Sequence, residues 1–231
     1  MGKKIIIYAP FNNWTFFENR LSYQWIKERM DIFDRYTLRS MKNQSNQEFE
    51  AHFLIDPKSE QTVKQVLSER ESLPSNVFFL SNKESEERTA NEVRKYPLFY
   101  WVRLDSDNMF EKNYIKRLYD YNPKPETKAL ISREGYMYSE ALDMLIFYKH
   151  HSPPFFTLIY DSKEYLDGKR YEHKSHCEID QKFNYEILDG YNFLISSHGN
   201  NVQIKDQMFF NDKTRQVPNQ EEVLRYFDVI G

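Results

Sequence analysis

Apolar and polar residues alternate in blocks along the first half of the chain. Short β-branched or aromatic runs are followed by longer stretches whose apolar side chains recur at helical spacing. Residues 5–8 form the first run, closed by Pro10-Phe11-Asn12-Asn13. Over residues 18–41 the positions Leu21, Trp25, Ile26, Phe33, Thr37 and Met41 predict two helices divided around Met30 and Asp31. A second run, 49–55, ends in Asp56-Pro57, with proline placed to begin a helix that carries Val63, Val66 and Leu67. Residues 77–80 give a third strand, and 84–95 a charged helix with Pro97 beyond its end. The fourth run, Leu98-Phe99-Tyr100-Trp101-Val102-Arg103-Leu104, stops abruptly at Asp105-Ser106-Asp107-Asn108.

Four strands alternating with helices imply right-handed crossovers and a mostly parallel sheet whose ligand edge lies where the strands end. A helix over 111–121, with Ile115, Leu118 and Tyr119 inward, leads through Pro123 and Pro125 to a strand at 129–131. The alternation then breaks down. Gly135-Tyr136-Met137-Tyr138, an apolar stretch at 142–148, Ser152-Pro153-Pro154 and a strand-like 155–160 follow in irregular order. After a polar segment, 171–180, an apolar run at 191–195 ends in Ser196-Ser197-His198-Gly199, and 221–227 suits a short final helix. The expected fold is α/β, a mostly parallel central sheet flanked by helices. No repeat, linker or low-complexity segment marks a boundary, so 1–231 reads as one domain with a regular half at 1–132 and a dissimilar half at 133–231.

Composition narrows this little. The 231 residues suffice for one sizeable core, and aromatics reach 16%, with 17 Tyr and 18 Phe, enough for both packing and stacking on sugars or bases. A net charge of −3 gives no basic footprint for nonspecific nucleic-acid binding. The single Cys177 has no internal disulfide partner, which makes the reducing cytoplasm, including the inner membrane face, the default compartment. The first apolar run is interrupted by Pro10 and Asn12, too early for a signal peptide or a membrane span, and Ile6 stands where N-terminal lipidation wants Ser or Thr. No transmembrane segment is expected.

The chemistry concentrates at strand exits. Asp105 and Asp107, one residue apart, suit a hard cation such as Mn²⁺ or Mg²⁺, which takes one or two carboxylates and leaves its other positions to water and phosphate. An Asx turn or helix cap explains the same residues structurally. A calcium loop does not fit, because Met109 and Phe110 stand where a further oxygen ligand and glycine belong. Asp56 has the same exit position, as a ligand contact or an N-cap, and the loop holding Pro10 and Asn12 borders the same crevice. His198, another exit residue, is either a hydrogen-bonded surface group or a third donor to a Mn²⁺-type site, with Gly199 allowing close backbone approach to phosphate. The polar segment offers Glu178 and Asp180 as candidate bases. Zinc is not supported there, since His173, His176 and Cys177 have no second cysteine to join them.

Taken together, Ser40-Met41-Lys42-Asn43-Gln44-Ser45, Leu54-Ile55-Asp56-Pro57, Trp101-Val102-Arg103-Leu104-Asp105-Ser106-Asp107, Ser152-Pro153-Pro154-Phe155 and His198-Gly199-Asn200-Asn201 resemble the rhamnosyltransferase family of GT-A-fold glycosyltransferases, in order and over about residues 33–201. The resemblance implies a nucleotide-sugar donor (UDP-, dTDP- or GDP-linked), Asp56 at the nucleoside end, Asp105 and Asp107 at the ribose and metal-diphosphate end, and His198 completing the metal shell. Arg103 shares the period-two parity of the two aspartates, so it either meets phosphate or forms a structural ion pair. The chain departs from the family in lacking a Glu-Asp helix start that would name the base.

The expected activity is therefore hexosyl transfer, possible acceptors being a glycan, a lipid-linked sugar or a protein. The rivals are a phosphohydrolase with an aspartyl nucleophile, whose motif usually opens the chain, and a sugar- or nucleotide-binding module without turnover.

Overall fold

The computed structural model describes residues 2–14, 17–198, 207–210 and 215–230. Gly199, Asn200, Asn201 and the start of the polar tail at Asn211 lie outside them.

Strand β1 (Lys3–Pro10) buries Ile5, Ile6 and Ile7 completely, because helices cover both faces of the sheet to which it is central. Helix α1 (Tyr23–Phe33) starts at Ser22, whose hydroxyl accepts the Trp25 amide, and buries Trp25, Ile26, Arg29, Met30 and Phe33. No break occurs at Met30 and Asp31. A five-residue π segment (Asp34–Leu38) continues α1 into α2 (Arg39–Lys42) with helical backbone at both junctions. Next come β2 (Glu50–Ile55), α3 (Glu60–Ser68), β3 (Val77–Ser81), α4 (Asn82–Val93) and β4 (Leu98–Arg103). A capping box between Ser81 and Glu84 starts α4 two residues before the expected start at Glu84.

Beyond β4 lie the two-residue β5 (Met109–Phe110), α5 (Tyr114–Asp120), β6 (Ala129–Ile131), β7 (Glu134–Ser139), β8 (Met144–Lys149), β9 (Phe156–Asp161) and α6 (Ser162–Leu166). The described chain ends with α7 (Ile179–Lys182), β10 (Tyr185–Ile187), β11 (Tyr191–Ser197), α8 (Gln207–Phe210) and α9 (Gln220–Tyr226). The main sheet has seven strands in the order β10-β6-β9-β4-β1-β2-β3, parallel except for β9, which runs antiparallel between β4 and β6. This is the expected α/β arrangement, a mostly parallel central sheet flanked by helices. The irregular half supplies a second sheet, β5-β11-β7-β8.

One hydrophobic cluster joins both sheets. Ile5, Ile7 and Val102 of the main sheet share it with Met30 and Phe33 of α1 and with Met137, Ile146 and Phe193 of the second sheet. The opposite face of the main sheet has its own cluster, in which Ile6, Tyr8 and Phe99 meet Val93 of α4 and Tyr165 of α6. The second sheet is irregular where β11 passes β7. Two residues, Asn192 and Phe193, lie opposite Gly135, the signature of a β-bulge. A Cβ on Gly135 would stand 2.5 Å from the Phe193 ring and carbonyl, so glycine is required for the two strands to approach. The Phe193 ring in turn stacks on Phe155 at 3.8 Å.

Candidate active site

The carboxyl end of β4 places the acidic pair. The Leu104 amide still bonds to the Tyr8 carbonyl, after which the chain turns and the Asn108 amide returns to the Asp105 carbonyl at 3.1 Å. Ser106, Asp107 and Asn108 are buried, so their polar groups require internal partners. The partners come from two directions. From the continuous helix, Thr37 donates to the Asn108 carbonyl at 2.9 Å and Ser40 Oγ accepts the Phe110 amide at 3.0 Å. From β11, the Ser196 hydroxyl donates to the Asp107 carbonyl at 2.6 Å and the Ser196 amide to Asn108 Oδ1 at 3.2 Å. The acidic loop is thus clamped between the regular half and the irregular one.

This clamp brings His198 to Asp107, with Nε2 3.2 Å from Oδ2. Arg29, from the buried stripe of α1, forms an ion pair with the same oxygen at 3.0 Å and donates to Ser106 Oγ at 3.1 Å. Burial alone would raise the Asp107 pKa, but Arg29 and His198 outweigh it and hold the carboxyl at about 2. Asp105 behaves oppositely. Although 32% of its side chain meets solvent, desolvation raises its pKa despite the Arg103 guanidinium 2.9 Å away. Two aspartates therefore face two arginines.

The donor chemistry suits a divalent cation. His198 Nε2 and Asp107 Oδ2, 3.2 Å apart, are the two donors that would hold one there. Among the described residues no group of three or more His, Cys, Asp or Glu is placed to hold a metal ion, so a cation there would draw its remaining ligands from water or a bound anion.

At the exit of β2, Asp56 has both carboxylate oxygens engaged. Oδ1 caps the turn by accepting the Lys58 amide at 3.0 Å, and Oδ2 pairs with Arg20 at 2.8 Å. Asn12 is fully buried. Its amide donates to the Arg20 carbonyl and Ser59 Oγ and accepts the Asp56 backbone amide, so its side chain binds the loop after β1 to the exit of β2. Pro10 ends β1 beside them, in register with Leu54.

A cavity of about 270 Å³ opens on the α4 side of the sheet. Its floor includes Tyr8 stacked on Trp101, with ring centroids 5.1 Å apart, and its walls include Asn82, Glu86, Tyr171 and His173. Arg103 lies one pleat beyond Trp101 and opposite Tyr8, so the cavity approaches the acidic pair along one face of the sheet. Burial lowers the pKa of His173, and the charge of Arg103 lowers it further. Tyr171 Oη and His173 Nδ1 are buried without hydrogen-bond partners among the described residues.

The two candidate bases lie on the segment that follows His173. Glu178 is tied to Lys182 at 2.8 Å and accepts the Lys174 amide, contacts that lower its pKa. Asp180 is 12% exposed and lies 3.6 Å from Arg133, and its Oδ1 is buried without a hydrogen-bond partner. Among the described residues no hydrogen bond or ion pair joins either carboxylate to Asp105, Asp107 or His198.

Sequence reasoning passed over Arg29. Its signal is nonetheless present, an arginine between Trp25 and Phe33 on the apolar stripe of a helix, where a buried cation requires an anion.

Comparison with known proteins adds a family. The family model described as Putative rhamnosyl transferase matches residues 18–203. No curated protein matches in sequence. Among solved structures, Staphylococcus aureus TarS 1-349 in complex with UDP-GlcNAc is similar at 14% identity and a TM-score of 0.49, over 86% of this chain and 60% of that one. The chain thus spans less than two thirds of that structure. The 4-diphosphocytidyl-2C-methyl-D-erythritol synthase of Anaerococcus prevotii is similar at 12% identity and a TM-score of 0.41, over 90% and 93% of the two chains. The family match takes in well over half of the sequence, and the chain belongs to the family described as Putative rhamnosyl transferase.

Proposed function

We propose that the chain transfers a hexosyl group from a nucleotide-sugar to an acceptor hydroxyl, with Mn²⁺ or Mg²⁺ held by Asp107 and His198. The observation that carries this reading is the meeting of those two side chains, 91 residues apart in sequence and on different sheets, at the carboxyl ends of β4 and β11. A cation bound there supplies positive charge to the leaving diphosphate. Arg29 and Arg103 add fixed charge to the same region. The cavity floored by the stacked Tyr8 and Trp101 suits the nucleoside; Asp105 would meet the ribose, and Asp56, with Pro10 and Asn12 holding the neighbouring strand exits together, the nucleoside end.

The reaction needs a base for the acceptor proton. Of the two candidates Asp180 has the freer carboxylate, because one of its oxygens has no hydrogen-bond partner among the described residues whereas Glu178 is held by Lys182. The acceptor O–H bond breaks to this carboxylate as the oxygen bonds to the anomeric carbon and the carbon–phosphate oxygen bond opens. Among the described residues no helix is long and apolar enough to cross a membrane. The lone cysteine favours a cytoplasmic site of action.

A thermal-shift screen of UDP, dTDP and GDP, each with and without Mn²⁺, tests the reading. One nucleotide should raise the melting temperature clearly more with the metal than without, since a ligand that binds the folded state stabilises by mass action. A uniform absence of response to all three, in both conditions, would refute it.

A further inference from the structure

Arg29 stands at the centre of the candidate metal site, yet it brings the wrong charge for one. Its guanidinium is buried and pairs with Asp107 Oδ2, the oxygen nearest His198 Nε2. Its Nε is buried and has no hydrogen-bond partner among the described residues. A buried guanidinium N–H without an acceptor is costly, and its natural complement is an anionic oxygen. With Arg103 on Asp105, the two carboxylates are matched by two guanidinium groups, so the ligand-free protein offers a divalent cation almost no net negative charge.

We propose that Arg29 is a charge gate: it pairs with Asp107 in the ligand-free protein and turns to the donor diphosphate when that binds, so that the cation is taken together with the nucleotide. This rests on the reading of the site given above. The two effects of Arg29 on a cation oppose each other. Orienting a ligating carboxylate raises metal affinity by about 10–100-fold. Holding a unit charge about 4–5 Å from a doubly charged ion lowers it by more, because even with effective screening that repulsion outweighs the loss of an oriented ligand. The repulsion dominates in the bare protein. Once the diphosphate arrives, Arg29 gains an anion of its own and satisfies its Nε, and linkage requires that nucleotide and cation then favour each other.

The test uses ligands that do not depend on the identity of the nucleotide. Mn²⁺ alone, followed by electron paramagnetic resonance, and inorganic pyrophosphate alone, followed by calorimetry without metal, are titrated into wild type and Arg29→Gln. The variant should bind Mn²⁺ about tenfold more tightly, as relieved repulsion outweighs the lost orientation, and pyrophosphate about tenfold more weakly, the factor expected for one charge-assisted hydrogen bond. A purely structural role would weaken both together. Arg29→Lys keeps the charge and should leave Mn²⁺ affinity within about threefold of wild type. If Arg29→Gln fails to fold, Arg29→Met, which keeps the apolar stem and removes the charge, should move both affinities in the same two directions.

Unchanged or weaker Mn²⁺ binding in a folded Arg29→Gln overturns the gate. So does unchanged pyrophosphate binding. Either result leaves intact a nucleotide response in the thermal-shift screen, so failure of the gate is distinct from failure of the proposed function. If neither wild type nor any variant binds Mn²⁺, with or without UDP, dTDP or GDP, the metal site and the gate both fall.

Discussion

Two buried carboxylates sit at opposite ends of the same sheet with nearly the same company. Glu50 opens β2 at the amino end, where Oε1 meets Lys4 Nζ at 2.7 Å and Oε2 meets Arg88 Nε at 2.6 Å and His52 Nε2 at 3.2 Å. Asp107 follows β4 at the carboxyl end, with an arginine and a histidine on one oxygen. The clusters differ in saturation. His52 is closed on its other side by Ser85 at 2.9 Å, and α4 covers the whole group. Around Asp107 the Arg29 Nε has no hydrogen-bond partner among the described residues, and a second carboxylate, Asp105, lies two residues away. An acid ringed by cations is therefore no mark of function by itself. What distinguishes the site is an unsatisfied donor, placed where parallel strands open outward.

The contrast can be broken by exchanging the expected phenotypes. Asp107→Asn keeps an acceptor for Arg29 but removes the anion, and transfer per folded molecule should fall about a hundredfold or more, whatever stability is lost by leaving the buried Arg29 uncompensated. Glu50→Gln should do the reverse. It leaves Lys4 and Arg88 uncompensated, costing about 3 kcal/mol of stability in denaturant titrations, with activity per folded molecule retained. If Glu50→Gln lowers activity more than stability, the amino-end cluster is not purely structural.

Acid should expose the same difference. Burial raises the Glu50 pKa, but hydrogen bonds from His52, Arg88 and Lys4 win and hold it far below the usual carboxylate range. Its stabilisation is whole above the unfolded-state value and is lost as pH falls toward the folded one. Burial lowers the pKa of His52, so its contribution is likewise whole above about 6.5 and lost as pH drops below that. The melting temperature should decline gently below about pH 6.5 and steeply below about 4.5. Glu50→Gln should flatten the steeper part. The smallest expected effect belongs to Asp56→Ala, which should raise the donor KM by about threefold to tenfold with less change in kcat. An unchanged donor KM in a folded variant would remove Asp56 from the site.

The parallel strands were legible because buried strands read as unbroken apolar runs and each is punctuated by proline, glycine or a cap. Residues 5–8, 49–55, 77–80 and 98–104 coincide with β1 to β4 to within a few residues. The divided helix over 18–41 was misread because Asp31 and Asp34 interrupt the apolar spacing, whereas the structure pairs both with Arg70 on the solvent side and lets a π turn absorb the change of phase. The helix expected from residue 111 begins at Tyr114, since Glu111 accepts the Asn113 amide and spends the intervening residues on a turn. The second sheet was hidden for another reason. Its strands β7 and β11 are parallel neighbours more than fifty residues apart, and β5 is only two residues long, so no local pattern announces the pairing. In the site, position at a strand exit was readable from sequence, whereas the meeting of Asp107, His198 and Arg29 is a tertiary property of all three.

Gly135 shows what that tertiary dependence means for variation in the chain. It touches neither Asp107 nor His198, but it lies under the bulge of the strand whose end carries Ser196 and His198. Any side chain there must lift Phe193 or shift β11, and the displacement is delivered to the far end of the strand, where tolerance is smallest. A selection for lost activity would thus recover substitutions at 135 together with those at 107 and 198, and would assign to chemistry a residue whose whole contribution is to be absent.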